Sequence, residues 1–347
     1  MRPDALVLAI ETSCDETAAA VVARDGRVRS SIVASQAELH ARYGGVVPEL
    51  AARRHVEAVL PAVDAALAEA AVGWDDLALV AVTRGPGLPA ALLVGLAAAK
   101  ALAFARGLPL VAVNHLAGHI WAHRLDDAPP LPLPAICLVV SGSHTDLCLL
   151  PEAGGLRLLG TTVDDAAGEV FDKVARLLDL GYPGGPRIEL AARQGDAHAV
   201  AFPRTLRDLN PPPGRSQVVG GRYAFSFSGL KTAVAVRRQT HPTEAVADVA
   251  ASFQAAVVET LVHKTIAAAR DHGAAGVLLA GGVAANGPLR AAMAAGCGGE
   301  GLALRVPPPW YCTDNAAMIG AAAWEAWAAG RRAGWDLDAE PDLPLEL

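Results

Sequence analysis

The sequence has few aromatic residues and no closely paired cysteines. Phe, Trp and Tyr make up 5% of the 347 residues, although 52% of the residues are apolar. Because alanine carries much of the apolar total, we expect a large core with many closely packed, Ala-rich helices. The five cysteines, at positions 14, 137, 148, 297 and 312, form no CxxC pair. An odd, scattered set is typical of reduced thiols, so it argues against a disulfide framework.

Positive charge is scarce as well. The chain holds 29 Lys and Arg against 36 Asp and Glu, which gives a net charge of −7. Phosphates are neutralised by clustered Lys and Arg, so this balance argues against a protein that grips nucleic acid unaided. A local basic patch or a basic partner stays open. The candidate basic side chains are Arg42, Arg53, Arg54, Arg222 and Lys231.

Long apolar runs are rare. The N-terminus enters a strand pattern at once, so no signal peptide is expected. One stretch, Leu88–Ala105, is long enough to imitate a membrane span, but it holds Pro89 and Lys100 and is mostly Ala and Gly. This composition favours a buried helix. Together with the reduced thiols, the composition of this stretch and the absence of a signal-peptide pattern predict a cytoplasmic protein that does not contact a membrane.

What the chain does contain is an internal repeat. From Ala5, a strand, a small polar turn, a second strand, a Gly turn and a third strand follow one another, and the same order returns from Ala135. A strand, a Gly-rich turn and a helix then occur in LALVAVTRGPGLPAALLVGLAAAK and again in AGVLLAGGVAANGPLRAAM. We therefore predict a duplicated α/β fold with domains at 1–130 and 131–347, divided near the Pro-rich DDAPPLPLP at 126–134. Chance alternation of strands and helices is the alternative.

Three histidines stand at steps of four in NHLAGHIWAH, residues 114–123. On a helix such positions lie on one face, and eight residues span about 12 Å. One ion with bonds of about 2.1 Å cannot bridge His115 and His123. His115 and His119 lie nearer the end of the preceding strand, so they are the better metal-binding pair. A histidine stripe used for packing is the alternative.

The repeat also suggests a third ligand. NHLAGH in the first half corresponds to WYCTDNAAM in the second, and sites in open α/β sheets lie beyond the carboxyl ends of the strands. We therefore expect Asp314 to reach the histidine pair from the opposite half, across a shared cleft. The protease signature HExxH is not present, because Leu116 occupies the position of the Glu.

Four glycine-rich turns could approach a phosphate: RGPGL at 84–88, VSGSHT at 140–145, YPGGP at 182–186 and AGGVAAN at 280–286. Backbone N–H groups bind anions where small residues permit close approach. The spacings match neither a P-loop nor a GxGxxG dinucleotide fold. Asp172, in the helical segment that starts near DDAAGE, is either a solvated residue paired with Lys173 or Arg176, or an acceptor for a substrate hydroxyl or amine.

These segments together resemble the bacterial TsaD family of tRNA adenosine threonylcarbamoyltransferases, once described as glycoproteases. The resemblance runs from about Leu8 to Ala323 and rests on ten motifs in order: ETSCDET, HARYGGVVPELAARRH, GPGL, NHLAGH, VSGSHT, DDAAGEVFDK, YPGGP, FSFSGLKTA, AGGVAAN and TDNAAMIG. It implies the actin/Hsp70/sugar-kinase-like (ASKHA) fold, two similar α/β domains around a central cleft.

The resemblance also implies a site and a reaction. A divalent iron or zinc ion would be held by His115, His119 and Asp314. Threonylcarbamoyl-adenylate would contact Val139, Val140, Ser141, Gly142, Ser143, Asp172, Gly185, Glu189 and Asn286. The threonylcarbamoyl group would pass to the exocyclic amine of adenosine A37, 3′ of the anticodon, in tRNAs reading ANN codons. The partners implied are a TsaB-like inactive paralogue and a TsaE-like ATPase.

Three positions depart from the family pattern. Ser143 stands where most members have Gly, Glu189 where many have Asp, and Ala52 where Ser is usual. The hydroxyl of Ser143 adds either crowding or a hydrogen bond beside the anhydride, and Glu189 reaches one methylene further. The substitution at Ala52 has no interpretation. The Pro203–Arg222 segment reads as a loop without an assigned role.

Chemistry supplies the remaining candidates and the rival functions. The adenine amine is a poor nucleophile and the adenylate is already activated, so catalysis must orient the two and stabilise charge on the carbamoyl oxygen or the departing phosphate. Asp15 and Glu16, in the first polar turn, either guide the amine or serve only to form the turn and cap a helix. A non-catalytic nucleotide-binding scaffold, a zinc metalloprotease and a sugar or carboxylate kinase are the rival functions.

Overall fold

The computed structural model describes residues 4–126, 128–152, 155–206 and 222–345. The chain divides into two compact units. Unit 1 comprises Met1–Leu131 and Pro307–Leu347, and unit 2 comprises Pro132–Val306. Residues 207–221 of the predicted Pro203–Arg222 loop lie outside the described residues.

Each unit is built on one five-stranded sheet. The strands of sheet 1 are β1 Leu6–Glu11, β2 Glu16–Ala23, β3 Val28–Ser35, β4 Leu77–Gly85 and β5 Leu110–Asn114; those of sheet 2 are β6 Ala135–Val140, β7 Thr145–Leu150, β8 Arg157–Thr161, β9 Gly276–Ala280 and β10 Ala303–Arg305. The helices are α1 Ala37–Ala41, α2 Pro48–Ala70, α3 Pro89–Arg106, α4 His115–Trp121, α5 Ala167–Leu177, α6 Gly184–Ala192, α7 Ser228–Thr240, α8 Val246–Asp271, α9 Gly287–Glu300, α10 Pro309–Cys312 and α11 Ala316–Ala328.

The two sheets have the same topology, which confirms the duplicated α/β fold. Their orders are β3-β2-β1-β4-β5 and, read from the matching edge, β8-β7-β6-β9-β10. In each sheet the first three strands in chain order pair antiparallel, and the last two add in parallel on the other side of the first. A hairpin joins neighbouring antiparallel strands, whereas the parallel strands need helical crossovers such as α3 and α9.

The C-terminal boundary of the second domain differs from the expectation. The second domain was predicted to span 131–347, but unit 2 ends at Val306, and Pro307–Leu347 packs with unit 1. The reason lies in β1, whose six residues are all buried, so both faces of sheet 1 need a cover. One face packs on α2 and α3, and the other packs on α11. Asp314, which precedes α11, therefore belongs to the same unit as the histidines.

Helix α11 suits this buried place because it is apolar nearly all round. Trp324 Nε1 donates a hydrogen bond to the carbonyl oxygen of Val22 at 3.2 Å. At Gly320 the helix runs so close to the sheet that a Cβ would lie 2.7 Å from Val22 Cγ2. The glycine therefore permits a helix–sheet approach that any side chain would obstruct.

The apolar stretch predicted to be a buried helix forms α3. Among the described residues it is the one helix that is long and apolar enough to cross a membrane by length and composition. Its Leu96, Ala99 and Ala103 lie in the core that α2, α3 and sheet 1 share. One side of α3 therefore packs in the core of unit 1, as the Ala- and Gly-rich composition predicts.

Candidate metal centre and glycine-rich turns

Asn114 sets the position of the histidine helix. It is the last residue of β5 and the N-cap of α4, where its Oδ1 accepts hydrogen bonds from the N–H groups of Leu116 at 2.9 Å and Ala117 at 3.1 Å. Its Nδ2 donates to the carbonyl oxygen of Pro344 at 2.8 Å. A cap of this kind stabilises a helix by about 1 kcal/mol. As a result, His115 is the first helical residue beyond the carboxyl end of the strand.

The structure brings His115, His119 and Asp314 together. Asp314 Oδ1 lies 3.2 Å from His119 Nε2 and 3.5 Å from His115 Nε2. The two rings meet edge to face, with centroids 4.8 Å apart and an interplanar angle of 82°. One nitrogen or oxygen of each residue lies within 4.8 Å of the others. The predicted pair and the predicted carboxylate thus converge on one point within unit 1.

The triad fits a divalent metal ion. His119 is 1% exposed, yet neither of its ring nitrogens makes a hydrogen bond among the described residues, although Asp314 lies close. A buried polar group without hydrogen bonds is destabilising by roughly 1–3 kcal/mol. Ligand atoms around a tetrahedral ion with bonds of about 2.1 Å lie about 3.4 Å apart, and the distances of Asp314 Oδ1 from the two histidines, 3.2 and 3.5 Å, are close to this value. Two imidazoles and one carboxylate suit either Zn²⁺ or Fe²⁺.

The two histidines differ electrostatically. Burial holds the pKa of His119 below its usual value, so its ring is neutral and can offer a lone pair. Burial also lowers the pKa of His115, but the carboxylates of Asp314 and Glu11 outweigh that effect and raise it to about 9. His115 therefore has to release a proton before it can act as a ligand.

Glu11 is a buried acid beside the triad that the sequence motifs did not indicate. It ends β1, is fully buried, and has its Oε2 3.1 Å from His115 Nδ1. Burial alone would raise the pKa of Glu11, but the charge and hydrogen bond of His115 lower it below its usual value. The available signal was a lone acid at the end of an otherwise apolar strand, directly before the polar turn.

Asp15 and Glu16 follow in that turn and at the start of β2. Glu16 Oε1 accepts a hydrogen bond from Ser35 Oγ at 2.8 Å, whereas its Oε2 is buried without a hydrogen bond among the described residues. Burial raises the pKa of Glu16 to about 7. Burial and the charge of Asp314 also raise the pKa of Asp15. Both carboxyl groups therefore hold protons more readily than in water.

The turn RGPGL does not act as a free anion cradle. Gly87 N–H donates to the carbonyl oxygen of Pro341 at 3.0 Å, and Leu88 N–H donates to that of Ser13 at 2.7 Å. A Cβ on Gly85 would overlap the carbonyl oxygen of Glu340. The glycines here permit close packing of the chain on itself, so the phosphate-binding interpretation of this turn is wrong.

The turns of unit 2 are packed on one side and open on the other. Gly168 N–H donates to the carbonyl oxygen of Ser141 at 3.1 Å, and Ser141 Oγ accepts from His144 N–H at 3.1 Å. Val139 and Val140 are buried in β6. A Cβ at Gly142, Gly185 or Gly282 would meet no atom within 4 Å. This open space is where an anionic ligand could approach the backbone.

Asp172 ties two helices together. Its Oδ1 accepts a hydrogen bond from Gly184 N–H at 2.6 Å, at the start of α6. Lys173 pairs instead with Asp165 at 2.9 Å and Glu169 at 2.8 Å. Lys173 is thus not the partner of Asp172, and the contact of Asp172 with Gly184 joins the YPGGP turn to α5.

The side chain of Asn286 makes hydrogen bonds to other residues of the protein. It caps α9 by accepting a hydrogen bond from Leu289 N–H at 3.0 Å. Its Nδ2 donates to Gln254 Oε1 at 3.0 Å and to Glu189 Oε2 at 3.2 Å. Both amide hydrogens are thus used, and the longer Glu189 reaches the amide of Asn286 and the N–H of Gly287 at 3.3 Å.

A cavity of about 650 Å³ lies in unit 1 on the other side of α4. It is lined by Ala117 and Trp121 of that helix, by Ala322 and Ala326 of α11, and by Arg84. Ala117 and Trp121 stand on a different helix face from His115 and His119. None of the predicted site residues lines this cavity.

Comparisons with known proteins agree with the sequence motifs. The sequence model of one family, described as TsaD: tRNA N6-adenosine threonylcarbamoyltransferase, matches residues 27–321. A tRNA N6-adenosine threonylcarbamoyltransferase of Symbiobacterium thermophilum is 54% identical over 347 residues, which cover 99% of this chain and 98% of the relative. The match thus extends over nearly the whole chain.

Two solved structures share the fold at low sequence identity. HypF of T. kodakarensis has a TM-score of 0.59 and 16% identity, covering 95% of this chain and 48% of that chain. Component A of the (R)-2-hydroxyglutaryl-CoA dehydratase of Acidaminococcus fermentans has a TM-score of 0.54 and 13% identity, covering 93% and 99%. At these identities the similarity concerns the fold alone.

Proposed function

The chain belongs to the TsaD family of tRNA N6-adenosine threonylcarbamoyltransferases, and from this we propose that it modifies A37, the adenosine 3′ of the anticodon, in tRNAs reading ANN codons. It is a transferase of tRNA modification, with the duplicated ASKHA fold. The observation that carries the proposal beyond the family name is the convergence of His115, His119 and Asp314. A non-catalytic scaffold of the same fold would not need these three side chains.

The reaction moves an activated acyl group. N6 of the adenosine forms a bond to the carbamoyl carbon of threonylcarbamoyl-adenylate, the bond from that carbon to the phosphate oxygen breaks, AMP leaves, and N6 loses one proton. Because the donor is already a mixed anhydride, the protein's part is to orient the two substrates and to stabilise developing charge.

We propose that His115, His119 and Asp314 hold one Fe²⁺ or Zn²⁺ ion. When bound, the ion supplies a Lewis acid that draws charge from the carbamoyl oxygen or the departing phosphate. The neutral ring of His119 and the carboxylate of Asp314 supply ligand atoms, and His115 does so after it loses its proton. The histidines therefore act as ligands and not as bases.

We propose that the turns of unit 2 bind the adenylate. Gly142, in the segment Val139–Ser143, and Gly185, in the YPGGP turn that Asp172 contacts, both leave open space beside the backbone. Ser143 adds a hydroxyl at this turn in place of the usual glycine. Because the amide hydrogens of Asn286 are already used, we assign the polar contact at this end to Glu189, with Asn286 holding that carboxylate in place.

Asp15 and Glu16 are the proposed guides for the acceptor amine. The raised pKa of Glu16, about 7, makes it able both to accept and to return a proton near neutral pH. The pKa of Asp15 is raised by burial and by the charge of Asp314. Either carboxyl group can accept a hydrogen bond from the amine and take up the proton that N6 loses.

The proposed partners and cellular location follow from charge and composition. The chain acts on tRNA, as its family does, but its net charge of −7 favours assistance by partners. We propose a TsaB-like paralogue and a TsaE-like ATPase in this role. The reduced thiols and the core position of α3 support a cytoplasmic protein without a membrane contact.

The older metalloprotease function finds little support. It requires a general-base carboxylate beside the metal-bound water, and α4 carries Leu116 where the protease glutamate stands. Glu11, the nearby acid, lies at Nδ1 of His115, whereas Asp314 lies at Nε2. Its oxygens also accept hydrogen bonds from Ser13 N–H and Thr83 Oγ1, which leaves it poorly placed to activate water.

The decisive experiment is a transfer assay with metal analysis. Purified protein is mixed with threonylcarbamoyl-adenylate, unmodified tRNA and the two partners, and the digested tRNA is analysed by mass spectrometry. We expect threonylcarbamoyladenosine from the parent chain. His119→Ala should lose both product and bound metal, because one ligand is gone.

His123→Ala is the matched control. His123 is a buried histidine four residues after His119, just beyond the end of α4, and it is not part of the triad. It should keep its metal and most of its activity. Unchanged metal content in His119→Ala, or equal losses in both variants, would remove the triad from the proposal.

A further inference from the structure

The two ring nitrogens of His115 face different groups. Nε2 lies 3.5 Å from Asp314 Oδ1, on the side where the ligand atoms converge. Nδ1 lies 3.1 Å from Glu11 Oε2 and 3.1 Å from Ser13 Oγ. A neutral imidazole carries a proton on one nitrogen and a lone pair on the other. Which nitrogen carries the proton therefore decides whether His115 can bind a metal through Nε2.

Glu11 is held rigidly beside Nδ1. Ser13 N–H donates to its Oε1 at 2.5 Å, and Thr83 Oγ1 donates to its Oε2 at 2.5 Å. Thr83 lies in β4, which pairs in parallel with β1, so two neighbouring strands fix the carboxylate. With donors on both oxygens and no exposed surface, Glu11 presents an acceptor to His115 in one orientation.

We propose that Glu11 is the positioning residue of the metal centre, which holds the proton of His115 on Nδ1 and so turns the lone pair of Nε2 toward Asp314. This inference rests on the metal site proposed above. A carboxylate that accepts from the outer nitrogen of a metal-binding histidine fixes both the tautomer and the ring orientation. Nothing in the motif NHLAGH itself supplies this function.

Ser13 cannot do the same. Its hydroxyl can donate to Nδ1 or accept from it, so it tolerates either tautomer. The two partners of Nδ1 therefore differ in the property that matters, and they provide a matched pair of variants. Glu11→Gln replaces one carboxylate oxygen by an NH₂ group. With the remaining oxygen toward Ser13 N–H, the amide donates to Nδ1 and favours the proton on Nε2.

The test measures Zn²⁺ affinity by competition with a chromophoric chelator, and the visible absorption of the Co²⁺-substituted protein. Glu11→Gln should bind Zn²⁺ about 10–100-fold more weakly and change the Co²⁺ spectrum. Ser13→Ala should stay within about threefold of the parent, since the tautomer is kept. Thermal unfolding of the metal-free proteins shows whether the variants are folded.

Glu11→Asp separates position from charge and also serves if Glu11→Gln fails to fold. It keeps the negative charge but withdraws it from Nδ1 by one methylene, so we expect a loss of Zn²⁺ affinity of about tenfold. Parent-like affinity in Glu11→Asp, or equal affinities in Glu11→Gln and Ser13→Ala, would overturn the positioning role. If the parent chain itself binds no Zn²⁺, the metal centre of the proposed function is overturned and this role with it.

Discussion

Three asparagines have the same local function in this protein. Asn114 ends β5, whereas Asn286 and Asn315 come after β9 and β10, and each accepts a hydrogen bond from an N–H in the first turn of the next helix. Asn114 directly precedes His115, and Asn315 directly follows Asp314, two of the three proposed metal ligands. The caps therefore fix the backbone at these two places, since capped helix ends fray less.

Burial of Glu16 predicts a pH-dependent stability. Its pKa is raised from its usual value near 4.5 to about 7, so the folded state holds the proton more tightly than the unfolded chain. The free energy of unfolding therefore falls as the pH rises from about 4.5 through about 7. Glu16→Gln removes this titration. The free energy of unfolding of the variant, relative to that of the parent, should therefore be higher at about pH 8 than at about pH 5 by on the order of 2 kcal/mol.

Urea denaturation at the two pH values checks this, with Glu57→Gln as the control. Glu57 is exposed on α2 and pairs with Arg54 at the surface, where an ion pair contributes little, so Glu57→Gln should change the free energy of unfolding by less than about 1 kcal/mol. A slope in Glu16→Gln equal to that of the parent would mean that Glu16 is not the group that titrates.

Gly142 offers a direct test of the adenylate site. A Cβ there would meet no protein atom within 4 Å, so Gly142→Ala should leave the melting temperature nearly unchanged. The added methyl group would occupy the space proposed for the ligand, and calorimetry should show at least about tenfold weaker binding of a non-hydrolysable adenylate analogue. Gly299→Ala, which is equally open but lies on α9, should bind the analogue normally. Parent-like binding in Gly142→Ala would place the ligand elsewhere.

At the scale of elements, the packing of α11 on sheet 1 sets the place of Asp314. Helix α4 also touches α11 closely, because a Cβ on Gly118 would lie 2.9 Å from Ile319 Cδ1. The histidine helix and the helix that follows the aspartate are thus in direct contact within unit 1. Gly118 permits the contact between α4 and α11, and Gly320 permits the contact between α11 and sheet 1. The two glycines thus allow the helix that carries the histidines to lie close to the segment that carries Asp314.

Gly320→Ala should therefore weaken both stability and metal binding. The new Cβ would meet Cγ2 of Val22 at 2.7 Å and its Cβ at 2.9 Å, on a strand that cannot yield easily, so α11 must move. We expect a net loss of about 1–3 kcal/mol in the free energy of unfolding, and weaker Zn²⁺ binding. Chemical denaturation and chelator competition measure the two effects.

Gly298→Ala provides the opposite expectation. It lies inside α9, and a Cβ there would meet no atom within 4 Å, so the gain in helix propensity should stabilise the protein by up to about 1 kcal/mol. If Gly320→Ala behaves in the same way as this control, the close approach of α11 to the sheet has no energetic role.

The sequence predicted some elements of the site well because their geometry is local. A step of four on a helix places His115 beside His119 whatever the rest of the fold does. The duplicated strand order was also readable, because both halves repeat the same pattern of strands and turns. Asp314 was found through the repeat, but its place in unit 1 was not, since which sheet face needs α11 is a property of tertiary packing.

Other features depended on contacts distant in sequence. Glu11 and Thr83 are 72 residues apart in sequence, and only sheet pairing shows that the acid is buried and aimed at a histidine. The glycines of RGPGL and those of VSGSHT look alike as sequence. The structure separates them, because the first pack against the chain's own carbonyl groups and Gly142 faces open space.

For the whole molecule, charge predicts how tRNA is bound. With a net charge of −7, the isolated chain should bind tRNA weakly, and because that binding rests on phosphate contacts its affinity should fall as the salt concentration rises. Two of the basic residues suggested for phosphate contacts, Lys231 and Arg222, are moreover in salt bridges with Asp165 and Asp271 respectively. We expect the chain together with the proposed partners to bind far more tightly.

Filter binding at two salt concentrations, with and without the partners, measures this. Affinity that rises by at least about tenfold on adding the partners would agree with the charge argument. Tight binding by the chain alone, unaffected by salt, would show that phosphate neutralisation is not what limits recognition.

The return of Pro307–Leu347 to unit 1 also has a consequence for the order of synthesis. The histidines leave the ribosome long before Asp314, with all of unit 2 made in between. A nascent chain that stops anywhere before residue 314 lacks one of the three proposed metal ligands, and one that stops before α11 leaves a face of sheet 1 uncovered. The proposed metal site can therefore be completed only when synthesis of the chain is nearly finished.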